Sequence, residues 1–257
     1  MEQRIAESRT SGELDLSKLR LQELPELPQN IWYLNCSKNN LTRLSELPPN
    51  LQALECSRNN LTVLPALPDS LEELVCDFNQ LATLPKQLPP NLQLLELHYN
   101  QITALPELPN TLISLQCGFN KLRTLPKLPD SLQALDIRGN DFEPRLQTLV
   151  GSPEVQEALR AMNEYESEDA AQFVVQTLNR YYDKKKAIRN MARNVGALNT
   201  VTRKTGSMVM NTKNMNVPKN VVVHIGSFFH NEKPKPNLRN ITLKLKEKHN
   251  AVTRKRK

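Results

Sequence analysis

The side chains in this sequence best suited to nucleophilic, redox or metal chemistry are four cysteines, Cys36, Cys56, Cys76 and Cys117. Their spacing argues against all three uses. No two form a short Cys-x-x-Cys pair and none has a histidine beside it, so the sulfur and nitrogen set of a zinc site is missing. They fall instead at one recurring position, and Leu97 and Ile137 occupy that position in two further copies of the pattern. A site that accepts Cys, Leu or Ile is apolar and inward, and a buried thiol there acts as a small hydrophobe. Neighbouring members of such a column are directly adjacent in a parallel sheet, which counts against disulfides, and free thiols suit a reducing compartment. We expect no catalytic residue, no metal site and no cofactor.

The elements that position these residues are repeats. The pattern Leu-x-x-Leu-x-Cys-x-x-Asn-x-Leu-x-x-Leu-Pro-x-Leu-Pro returns every twenty residues and carries Asn39, Asn59, Asn79, Asn100, Asn120 and Asn140. One copy, between Asn79 and Asn100, is a residue longer, with the insertion near Lys86 and Gln87. Periodicity of this length is that of a leucine-rich repeat solenoid, in which each repeat buries its apolar face only against its neighbours. Within one repeat, Leu54 and Cys56 alternate with Glu55 and Ser57 as a short strand with the apolar pair inward. Asn59 ends that strand, and its amide can satisfy backbone groups of adjacent turns, so the asparagines form a ladder. Leu61, Leu64 and Leu67 return with Pro65 and Pro68, and prolines at this density exclude helix and favour extended or polyproline-like arms.

One side of every strand is thereby left for a partner. The residue before each ladder asparagine is Lys38, Arg58, Phe78, Tyr99, Phe119 and finally Gly139, so three aromatics follow on neighbouring strands. Parallel strands lie about 4.8 Å apart, close enough for a continuous aromatic ridge. Such a ridge is either a binding anchor or a set of rings packed on one another. Glu55, Asp77, Glu96 and Asp136 surround it with negative charge that favours a basic partner segment. The candidate protein-binding residues are Glu55, Phe78, Glu96, Tyr99, Phe119 and Asp136.

Composition divides the chain. Fourteen of the eighteen prolines precede residue 150, and residues 1–150 hold 13 Lys or Arg against 18 Asp or Glu, a net charge of −5. The chain total of +7 leaves +12 for the remainder, and Lys184 to Lys257 holds 19 basic residues against Glu232 and Glu247. The expected organisation is a short N-terminal cap over 1–13, a solenoid over 14–150, a helical cap over 151–195 and a basic tail over 196–257. Met1 to Ser17 contains no seven-residue apolar run, so no ordinary secretory signal is expected, nor is any transmembrane segment.

The doublets Leu24-Pro25-Glu26-Leu27-Pro28, Leu64-Pro65-Ala66-Leu67-Pro68, Leu105-Pro106-Glu107-Leu108-Pro109 and Leu125-Pro126-Lys127-Leu128-Pro129 resemble the short repeat of bacterial effectors of the YopM and IpaH types. The resemblance covers about residues 14–150. It implies delivery from the bacterial cytoplasm by a specialised secretion system into the host cytoplasm or nucleus, where the solenoid binds host proteins. Phe142 to Leu149 resembles the family's closing segment. IpaH-type proteins also carry a ubiquitin-ligase domain with a nucleophilic cysteine in a Cys-x-Asp motif. This chain has no cysteine after Cys117, so that thioester chemistry is absent. At the front, only Glu2 to Arg9 can form a helix, and Leu19 takes the place of a ladder asparagine. The cap is therefore minimal or the chain is a shortened relative.

After the solenoid, Ser152-Pro153-Glu154 signals a helix start with Val155, Leu159 and Met162 on one stripe. A second helix follows Ser167-Glu168-Asp169, with Ala171, Val174, Val175, Leu178 and Tyr182 at helical spacing. Both would cover the open solenoid end. Val221 to Phe229 and the alternating Ile241, Leu243 and Leu245 read as strands or as part of an unfolded tail. Lys184, Lys185, Lys186, Arg254, Lys255, Arg256 and Lys257 suit nuclear import, contact with nucleic acid or an anionic membrane, or a solvated charge block. His224, His230 and His249 lack ligand spacing. The expected function is a non-enzymatic protein-recognition module. The alternatives are a ubiquitin-ligase-type effector without its catalytic domain, and an enzyme whose substrate the solenoid recruits. No small-molecule substrate is expected.

Overall fold

The computed structural model describes residues 1–205, with side chains as far as Asn190. It divides into two units, Met1–Asp183 and Lys184–Lys257. The first holds helix α1 (Glu2–Ser11) and strands β1 (Glu13–Asp15), β2 (Tyr33–Asn35), β3 (Ala53–Glu55), β4 (Glu73–Val75), β5 (Leu94–Glu96), β6 (Ser114–Gln116) and β7 (Ala134–Asp136). After the strands come α2 (Pro144–Val150), α3 (Pro153–Tyr165) and the start of α4 (Glu168–Thr205). The strands form one parallel sheet in sequence order, and equivalent residues of successive repeats face each other, as Leu54 faces Leu74. The extra residue of the long repeat leaves this register intact, since Leu74 pairs with Leu95 across it.

Each strand is three residues long with its central leucine buried, so the leucines at 14, 34, 54, 74, 95, 115 and 135 make one continuous row. Removing one of these side chains down to Ala costs about 2–5 kcal/mol at a fully buried site. The cysteine column lies beside it, with Leu16, Cys36, Cys56, Cys76, Leu97 and Cys117 fully buried and Ile137 nearly so. The Leu-Pro arms on the far side have neither helix nor strand, as fixed proline φ angles and missing N–H groups require.

The asparagine ladder closes the turns. Asn79 accepts from the N–H of Leu61 at 3.0 Å and donates to the carbonyls of Cys56 and Cys76 at 3.0 and 3.2 Å. Asn39, Asn59, Asn100, Asn120 and Asn140 repeat the arrangement. Leu19, in the first repeat, supplies only its N–H to Asn39, and no further turn precedes it that would need an amide.

Both edges of the sheet are closed by side chains. At the first strand Arg4 donates to the carbonyl of Asp15 at 2.9 Å, and the Ser11 hydroxyl accepts from the N–H of Glu13 at 3.2 Å. At the last, Asn163 of α3 stands in for a strand: its carbonyl accepts from Leu135 N–H at 2.9 Å and its NH₂ donates to Leu135 C=O at 2.8 Å. Asn179 of α4 does the same for Leu128 on the return arm, with both bonds at 2.8 Å. The helices lay Val155, Leu159, Met162, Ala171, Val174, Val175 and Leu178 into the interior, whereas Tyr182, expected on the same stripe, is only half-buried. The capping hydroxyl of Ser152 accepts from Val155 N–H at 3.4 Å, and Pro153 takes the first helical position. In the second unit α4 continues to Thr205, beyond residue 195. The readings at Val221 to Phe229, at Ile241, Leu243 and Leu245, at the three later histidines and at Arg254 to Lys257 lie outside the described residues.

Candidate functional site

Outward residues of the strands form parallel columns one repeat apart, because the register matches like position to like. Beside them runs the column that precedes the ladder asparagines. Its members turn the chain out of the strand in the left-handed region, with φ of 59° at Lys38, 56° at Arg58, 54° at Phe78 and Tyr99, 56° at Phe119 and 64° at Gly139. Phe78 and Tyr99 stack with ring centroids 4.5 Å apart and an interplanar angle of 11°, and Tyr99 and Phe119 at 4.5 Å and 4°. The guanidinium carbon of Arg58 lies 4.3 Å over the Phe78 ring. Gly139 closes the other end, for a Cβ there would come within 2.6 Å of the Phe119 ring. Ring faces are thus consumed within the column, while Phe78, Tyr99 and Phe119 remain 39%, 45% and 41% exposed along their edges.

The acidic residues sit in unequal settings. Glu55 accepts from the Tyr33 hydroxyl at 3.0 Å, and burial together with this acid pushes the Tyr33 hydroxyl up to about 12. Glu96 is raised above the ordinary carboxylate range by burial and by the charge of Asp77, partly offset by His98. Asp77 is also raised by burial, against the N–H of His98 that donates to it at 2.7 Å. Asp136 is different. Burial pushes its carboxyl up, but Arg138 grips it through Nε at 3.0 Å and Nη2 at 2.6 Å and brings it below the ordinary range. With an arginine already on it, Asp136 contributes a neutral pair where Glu55 and Glu96 contribute charge.

The cysteines carry no site chemistry. All four are free and buried, with the thiols of Cys56 and Cys76 in contact, and burial pushes those of Cys36, Cys56 and Cys117 upward, away from the reactive thiolate. Among the described residues no group of three or more His, Cys, Asp and Glu could hold a metal, and no helix is long and apolar enough to cross a membrane. Lys184, Lys185 and Lys186 lie on α4 in the second unit. Tyr33, His98 and Arg138 were missed as members of the surface, although each occupies an outward position of its repeat.

This is a leucine-rich repeat protein. The leucine-rich repeat domain of a Shigella effector is similar to it at 36% identity, over 59% of this chain and 82% of that one, with a TM-score of 0.50. YopM of Yersinia pestis is 36% identical over 54% of this chain, with a TM-score of 0.49. A leucine-rich repeat protein of Leptospira interrogans is 31% identical over 50% of this chain, with a TM-score of 0.42. The chain spans less than half the length of these last two, 46% and 42%. No protein-family profile and no curated protein sequence matches. The chain belongs to the leucine-rich repeat proteins of the bacterial effector type.

Proposed function

We propose that the chain is a non-enzymatic recognition module, exported by a bacterium and binding a host protein across the concave sheet face. The observation that carries this reading is the ridge of Phe78, Tyr99 and Phe119, three large rings on adjacent turns whose edges stay in water. Aromatic side chains in that state anchor interfaces, because they add large apolar area at little entropic cost. Both ends of the sheet are closed by side chains, so an added β-strand finds no free edge, which directs a partner to the face. The carboxylates of Glu55, Asp77 and Glu96 favour a partner with a basic segment. Likeness to the Shigella effector domain supports delivery into a host cell.

The test compares Tyr99→Ala with the convex control Lys127→Ala, for melting temperature and for affinity toward the partner captured from host lysate. Tyr99→Ala is expected to weaken binding by about 2 kcal/mol or more, roughly thirtyfold in Kd. Unchanged affinity with a large fall in melting temperature would make the column packing alone.

A further inference from the structure

Two of the protein's own arginines already sit on this face, and they show what it accepts. At one end the Arg58 guanidinium sits over the Phe78 ring, its central carbon 4.3 Å from the ring centroid, and at the other Arg138 closes a fork on a carboxylate. Between them stand Glu73, Asp77 and Glu96, and none of the ion pairs among the described residues involves any of these three. Asp77 accepts a single backbone N–H, and the side chains of Glu73 and Glu96 make no hydrogen bond among the described residues. Register places them together: Val75 is the partner of Glu96 on the adjacent strand, and Glu73 and Asp77 flank Val75 on its own outward side. The result is a triangle of carboxylates around one small apolar residue.

We propose that this triangle receives guanidinium groups, and that the partner presents them on an extended segment with arginines at alternate positions. The proposal rests on the recognition reading above and names the chemistry of the partner. Charge decides the sign of the guest: the outward residues of β3, β4 and β5 and the three positions beyond each strand carry four carboxylates, Glu55, Glu73, Asp77 and Glu96, against His98 and Arg58. Geometry decides between the two basic side chains. A planar guanidinium forks onto a carboxylate and packs its weakly hydrated faces on Val75, whereas an ammonium is a strongly hydrated point charge with no flat face to place there. Alternate residues of an extended chain are about 6.6 Å apart, the step between successive outward residues of a strand. Burial raises the carboxyls of both Asp77 and Glu96, the latter also through the charge of Asp77, and such a guest supplies the missing counter-charge.

The full chain is titrated against a short fluorescent peptide of alternating arginine and serine, with the lysine and serine peptide as comparison, by anisotropy. The arginine peptide should bind about tenfold tighter than the lysine peptide. The double variant Asp77→Asn, Glu96→Gln should lose about tenfold or more of that affinity, while the convex Glu107→Gln leaves it unchanged. Melting curves of all variants establish that each is folded. Equal affinity for the two peptides, or unchanged binding in the double variant, overturns the arginine reading. If Tyr99→Ala still abolishes host-partner binding in that case, recognition through the face survives without arginine. If concave variants leave partner binding untouched, the recognition reading falls and takes this one with it.

Discussion

Replacing Asn179 with Ala tests whether the solenoid ends where its last repeat runs out of backbone partners. Leu128 is 1% exposed, and its N–H and C=O are both satisfied by the Asn179 amide at 2.8 Å. Asn179 is itself 9% exposed, so water is poorly placed to replace it. Each buried backbone group left without a partner costs about 1–3 kcal/mol, so the substitution should cost roughly 2–6 kcal/mol. Asn163 makes the same two bonds to the buried Leu135 but is itself exposed, so its removal opens a path for water, and Asn163→Ala should cost less than Asn179→Ala. Urea titration reads the difference. With a slope of about 1–3 kcal/mol per molar, a loss of about 3 kcal/mol lowers the midpoint by roughly 1–3 M at constant slope. Asn179→Asp adds an internal check. At neutral pH its carboxylate faces the Leu128 carbonyl, so its folded pKa is raised. Protonation restores an O–H donor, and the variant should regain stability as pH falls through that raised value. An Asn179→Ala cost below about 0.5 kcal/mol, or below that of Asn163→Ala, would refute the reasoning.

The four thiols should react with an alkylating reagent only after denaturation, and rapid labelling of the native protein would contradict the buried column. Asp77→Asn and Glu96→Gln should each raise the melting temperature at neutral pH. Their folded pKa values lie above the unfolded ones, so ionisation penalises the folded state above the raised value, and the gain should vanish in acid where both carboxyls are protonated in either state. Ending the chain after Asp183 should leave the solenoid's melting curve unchanged, because both capping asparagines are retained, and should remove any salt-sensitive binding to polyanions. Ending it after Val150 removes both and should lower the midpoint in a urea titration.

Repetition is what made this fold readable. An inward leucine at 54 is one observation, but its recurrence at 34, 74, 95, 115 and 135 leaves only one arrangement that buries them all, and the asparagine ladder was legible for the same reason. Features that occur once carry no such signal. Asn163 and Asn179 are single polar residues in helices, and nothing in their surroundings in sequence says that they cap backbone 28 and 51 residues away. The neutralisation of Asp136 was within reach, since residues two apart on a strand share a face and Arg138 stands two beyond it. Arg58 precedes Phe78 by one repeat in the ridge column, so its place on the ring also followed from the period.

The ridge residues occupy a backbone conformation that glycine adopts most cheaply, and only Gly139 uses glycine. A left-handed φ costs a side-chain-bearing residue roughly 1–2 kcal/mol, less about 0.5–1 kcal/mol for the entropy glycine would lose. For Phe78, Tyr99 and Phe119 together the net cost is therefore at most about 4.5 kcal/mol. Two ring stacks return about 0.5–1.5 kcal/mol each and the Arg58 contact about 0.5–1 kcal/mol. The rings also bury more than half of their surface, which adds apolar stabilisation beyond the stacking, so packing repays the left-handed turns. What the rings add is an exposed line of edges. Since their faces are already taken by one another, by Arg58 and by Gly139, the proposed reading leaves a partner's cation no ring face to settle on and sends it to the carboxylates beside the ridge. On that reading the aromatic column and the acidic strip divide the work, the first supplying apolar contact and the second selecting charge.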